Sequence, residues 1–173
     1  MKLMKGLCKF MKGSSVKTNP KILIIYGNYG GAGFSARRTF DKKNNQLYQL
    51  DNNNDFVYQQ EMNLQDYHNY YLSMMQEIDV IDELDACFKL HDLDTNSRNI
   101  KNIIKASHYL PLNMSRIDPI FYLSYPLVFS IGVIYFATIG RPSKIDESDI
   151  DNINQYRIEC QNIYRDRYNI KYV

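Results

Sequence analysis

Apolar positions recur at helical spacing in three stretches of this chain and abandon that spacing in three others. Across residues 78–105, Ile81, Leu84, Phe88, His91 and Thr95 fall three or four apart and share one face of an expected helix. Ile150, Ile153, Tyr156, Cys160, Ile163 and Tyr164 form a second stripe over residues 150–168. Pro142 and residues 143–146 precede it as a plausible start signal. A weaker stripe through Met62, Leu64, Tyr67, Tyr70, Tyr71, Met74 and Met75 predicts a modest helix over residues 59–76. Residues 21–25 read as a short apolar strand or lead-in. Residues 41–58 are polar and rich in asparagine (Asn44, Asn45, Asn52, Asn53, Asn54), which predicts a surface excursion without a core face. Residues 120–139 carry no charge and are long enough to cross a bilayer. Pro126 and Gly132, however, divide that run into pieces suited to buried strands or a hairpin.

Composition narrows the function classes. At 173 residues the chain can bury a real core as one domain. A net charge of +2 with 23% charged residues carries no nucleic-acid footprint, so no nucleic-acid partner is expected. Residues 1–19 form a basic N-terminal tail, with Lys2, Lys5, Lys9 and Lys12 set among Leu3, Leu7, Phe10 and Met11. The lysines interrupt any apolar core of a secretory signal. Two readings stay open for this tail: a frayed end, or an amphipathic helix lying on an anionic membrane. The sequence assigns no compartment and names no protein partner.

The chemistry concentrates in two short blocks. His91 and Asp92 end the run Ile-Asp-Glu-Leu-Asp-Ala-Cys-Phe-Lys-Leu-His-Asp, and adjacent helix residues project about 100° apart. The imidazole is then free to face a reacting water while the carboxylate faces a cation. Upstream, Tyr26-Gly-Asn-Tyr-Gly-Gly-Ala-Gly33 is a glycine-rich loop whose carbonyls can turn inward. Ca²⁺ takes six to eight oxygens and accepts carbonyls beside a carboxylate. An isolated histidine on an apolar face is ordinarily a buried, hydrogen-bonded residue; Asp82, Asp85, Asp92 and the glycine loop set His91 apart, and His68 and His108 lack such company.

Taken together, Tyr-Gly-x-Tyr-x-Gly-x-Gly and Asp-x-x-Asp-x-Cys-x-x-His-Asp resemble the calcium-dependent phospholipase A2 superfamily. The wording is most similar to the phospholipase A2-like domains of animal DNA viruses. The resemblance implies a mainly α fold: a calcium-binding loop, two long antiparallel helices and a possible small hairpin. The domain would span residues 20–173, with an inserted segment at about 41–76 and the apolar segment at 120–139. The resemblance also implies Ca²⁺ held by the carbonyls of Tyr29, Gly31 and Gly33 and the carboxylate of Asp92. His91 would be the base activating water against the sn-2 ester of a glycerophospholipid, so the partner is a phospholipid membrane serving as substrate. Cys87 and Cys160 would face each other between the two helices, with Cys8 left over.

Two positions depart from the family pattern. Thr95 stands where relatives place a tyrosine, and Asn154 stands where the carboxylate that orients the imidazole is expected. An amide can fix the ring tautomer but does not stabilise an imidazolium as a carboxylate does. Asp151, one turn earlier, is the nearest substitute on that helix. The readings that follow are a phospholipase A2-like hydrolase, a weak or inactive relative binding calcium or membranes, and a small integral membrane protein with a chance match. A single membrane crossing at 120–139 conflicts with the first, because it would separate the two helices that must pack together.

Overall fold

The computed structural model describes residues 25–31, 33–96, 100–119 and 147–170. The expectations for the basic tail, the strand at 21–25 and the apolar segment at 120–139 fall wholly or almost wholly outside them. The chain divides between Ile81 and Asp82 into two compact units, each described by itself.

The first unit is built on an antiparallel sheet. Strands β1 (Phe34–Ser35), β2 (Arg38–Asp41), β3 (Gln46–Leu50) and β4 (Phe56–Glu61) lie in the order β1-β2-β3-β4. Ser35 pairs with Arg38, so Ala36 and Arg37 form a two-residue hairpin turn, with φ of 51° and 58°. That left-handed pair matches the twist of the flanking strands. The Arg37 side chain braces it by donating to Leu50 O and, at 2.7 Å, to Asp51 O. The mainly α expectation is therefore overturned: the fold is α+β, and part of the polar stretch read as an excursion is sheet. The asparagines and aspartates there are turn chemistry. Asp41 accepts from the Lys43 and Asn44 amides, Asp51 accepts from those of Asn53 and Asp55, and Asn45 and Asn54 adopt positive φ.

Helix α1 (Leu64–Glu77) follows the sheet. Asn63 caps it, its Oδ1 accepting the Asp66 amide at 2.9 Å. Phe40 stacks on Tyr67 with centroids 4.6 Å apart, and Arg38 pairs with Glu77 at 2.6 Å. The expected helix at 59–76 is thus real but begins later, because residues 59–61 complete β4.

Three described helices make up the second unit: α2 (Glu83–Asn96), α3 (Ile100–Ile117) and α4 (Glu147–Tyr168). Packing places α2 against both α3 and α4. The helix expected over 78–105 is shorter at its start than the pattern implied. Ile78 is already the extended C-cap of α1, and Asp82 Oδ1 captures the Asp85 amide at 2.9 Å, which starts α2. At the other end Thr95 Oγ1 and Asn96 Nδ2 each donate to Asp92 O at 2.9 Å, so side chains take up a carbonyl of the last turn. For α4 the expected stripe holds in part: Ile153, Cys160 and Tyr164 are buried and Ile150 and Tyr156 half-buried, but Ile163 is exposed.

Leu93 sits at 0% exposure on α2. Leu93→Ala should lower stability by about 2–5 kcal/mol, the range for truncating a fully buried leucine. A urea midpoint that does not move would mean α2 is not the core helix of its unit.

Candidate functional site

In the first unit the glycine loop is a self-contained turn. Tyr26 and Gly30 exchange backbone hydrogen bonds, N to O at 2.7 Å and 2.8 Å, and the Phe34 amide donates to Gly31 O at 3.1 Å. Tyr29 is fully buried, and its hydroxyl donates to Met75 O at 3.2 Å and to Ile78 O. Asn28 Nδ2 donates to Asp79 O at 2.8 Å. The loop is therefore tied to the C-terminal end of α1, where helical carbonyls lack intrahelical partners. Gly33 has a φ of 69°, is exposed, and a Cβ there would meet nothing within 4 Å; backbone conformation alone explains its glycine.

His91 and Asp92 sit on α2 of the second unit, with side chains 20% and 18% exposed. Asp92 Oδ1 lies 3.8 Å from His91 Nδ1, too far for a hydrogen bond, so this geometry does not orient the ring through Asp92. His91 turns toward α3: it lines a hollow with Cys87, Ala106, Tyr109, Leu110 and Asn113 that is too narrow for one water. Asn113 is buried and clamps itself by donating from Nδ2 to Tyr109 O at 2.9 Å.

The residues expected to orient His91 from the other helix do not line this hollow. Asn154 is half-buried on α4, and Asp151 is exposed, so Asp151 is unsuited to replace a buried carboxylate. Other α2 residues engage α4: Asp94, fully buried, pairs with Arg157 at 3.0 Å, and Lys89 sits over the Tyr156 ring at 5.4 Å. Sequence reasoning passed over Lys89, Asp94 and Arg157. The signal was available, as charged residues inside an apolar helix pattern demand partners.

Cys87 and Cys160 are both buried free thiols. Their surroundings differ. Burial, reinforced by Glu83, pushes the Cys87 thiol up to about 12 despite Arg116 nearby. Burial also raises Cys160, against the pull of the Tyr156 and Tyr164 hydroxyls and of Lys89.

In the second unit Asp92 is a carboxylate with an accessible fraction, a ligand type that calcium accepts; in the first, Gly31 O keeps a second lone pair after accepting from Phe34. Among the described residues no three His, Cys, Asp or Glu side chains gather at one point. A cation at Asp92 would thus depend on carbonyl and water oxygens.

Two outcomes follow from these geometries. Asp94→Ala would leave Arg157 without its carboxylate and should cost about 3–5 kcal/mol in chemical denaturation. A thiolate-seeking reagent at pH 8 should modify Cys87, with its thiol near 12, on the order of a thousandfold more slowly in the folded chain than in urea. Equal rates would show that the thiol is not enclosed.

No family model matches the chain, and no solved structure does either. Uncharacterized protein R213 of Acanthamoeba polyphaga mimivirus is 49% identical over 142 residues, covering 81% of this chain and 99% of the relative. With identity that high over nearly all of the relative, the chain belongs to the same family as this mimivirus protein.

Proposed function

We propose that the chain is a phospholipase A2-like hydrolase of the sn-2 ester of glycerophospholipids, with His91 as general base. The observation that carries the reading is the His91-Asp92 pair itself. Both side chains are partly exposed on a helix whose neighbouring residues are locked by burial and by the Asp94–Arg157 ion pair. His91 would accept a proton from water as that water attacks the ester carbonyl. Asp92 lies 3.8 Å from the ring nitrogen, beyond hydrogen-bond reach, and its carboxylate is of the chemistry a hard cation takes. Calcium, when bound, would supply charge to stabilise the oxyanion and the phosphate. Assignment of the Tyr29, Gly31 and Gly33 carbonyls to that ion rests on the motif resemblance alone.

A second reading is a weak or inactive relative. One specific observation favours it: the candidate orienting carboxylate, Asp151, is exposed on α4, and the hollow beside His91 is lined by α3.

Fatty-acid release from mixed phospholipid vesicles, with calcium and then with chelator, separates the two. Under the hydrolase reading His91→Gln should lower turnover about 10²- to 10⁴-fold, the usual worth of a general base. Asp92→Asn should lose activity together with calcium affinity measured by calorimetry. Wild-type protein that releases no fatty acid at saturating calcium overturns the hydrolase reading. A gain on Asn154→Asp would then identify the orienting carboxylate as the missing part.

A further inference from the structure

An imidazole acting as a base needs its second nitrogen held, because the hydrogen bond made there decides which nitrogen takes the proton. For His91, Asp92 is out of reach for that task at 3.8 Å, and neither Asn154 nor Asp151 lines the hollow beside the ring. Helix α3 brings two polar side chains to that hollow, Tyr109 and Asn113. The ion pair between Glu83, the first residue of α2, and Arg116, in the last turn of α3, sets the two helices antiparallel. Helical side chains lean toward the N-terminal end of their own helix. His91 therefore leans toward the level of Cys87, and Asn113, near that level on α3, leans back toward His91. Tyr109 leans the other way, toward the start of α3. The bond from Asn113 Nδ2 to Tyr109 O, at 2.9 Å, runs along that lean.

We propose that Asn113 is the positioning residue for His91, its Oδ1 accepting the ring Nε2–H between α2 and α3. Asn113 is 2% exposed, and a buried amide oxygen takes a donor. With Nδ2 engaged on its own helix, the oxygen is the atom presented to α2. The hollow has no room for a water between the two residues, so the contact is direct. Nδ1 is the ring nitrogen on the Asp92 side, which assigns Nε2 to α3. The basic nitrogen, Nδ1, then lies on the same side as the candidate cation ligand. The role in turnover rests on the hydrolase reading; the hydrogen bond itself does not.

The test follows the His91 ring N–H by proton–nitrogen correlation NMR, on the full chain without lipid or calcium. A ring N–H open to water exchanges too fast to be seen, whereas one held by a buried acceptor gives a resonance. The wild-type spectrum should contain one on Nε2, assigned by its loss in His91→Gln. It should vanish in Asn113→Leu with circular dichroism unchanged, and persist in Tyr109→Phe and Cys87→Ala. Asn113→Asp should keep the resonance and move it downfield, because a carboxylate accepts a stronger, charge-assisted bond. A wild type without the resonance, a proton on Nδ1, or a resonance that survives Asn113→Leu overturns the proposal. If Asn113→Leu does not fold, Asn113→Asp decides: a resonance it leaves unmoved overturns the proposal as well. Fatty-acid release with calcium is scored separately. Under the hydrolase reading Asn113→Leu should lower kcat at least about tenfold with KM unchanged, since only proton transfer is disturbed. Unchanged kcat in a variant that has lost the resonance overturns the positioning role. A chain that holds the ring proton as expected yet releases no fatty acid refutes only the hydrolase reading.

Discussion

Burial of α2 on nearly all sides is the constraint from which the rest of its unit follows. Seven consecutive residues, 84–90, are buried, and they include Asp85 and Lys89; Asp94 is fully buried further along. Ionised groups removed from water are costly unless paired. That requirement sets what α4 must bring: Arg157 for Asp94 and the Tyr156 ring for Lys89. It also leaves the Cys87-His91 side of the helix to α3, where Ala106, Tyr109, Leu110 and Asn113 fill the space. The candidate base is therefore held by a helix that has little freedom to shift.

In the first unit a different economy operates. The glycine loop has few side chains of its own, so it is fixed from outside by Tyr29 and Asn28, which bond to carbonyls at and just beyond the end of α1. The sheet in turn fixes α1 through the Phe40–Tyr67 stack and the Arg38–Glu77 pair. A loop held by side-chain anchors keeps its backbone shape without needing a bound ion. This anchoring explains why so many glycines can be ordered in so short a segment.

Membership in a family with the mimivirus protein R213 anchors the chain to a viral relative without transferring an activity. The proposed function consequently stands on the chemistry of α2, with His91 as the candidate base and Asp92 as the candidate cation ligand.

The sequence by itself located α4 closely and α1 and α2 within broader stretches, because a stripe of apolar side chains needs a core wherever the chain goes; the stretch at 78–105 ran on into α3, which it did not separate from α2. It also singled out His91 and Asp92, since adjacency on one helix is a local property. It did not reveal the sheet. Asn44, Asn45 and Asn52 to Asn54 look like low-complexity polar chain until Leu47, Tyr48 and Leu50 are seen buried between strands, and strand pairing is not local. Nor did the sequence show what faces His91. Residue spacing gives the angle at which a side chain leaves its helix, but packing decides which neighbour meets it. In this chain α3 met His91, while Asp151 on α4 was left to solvent.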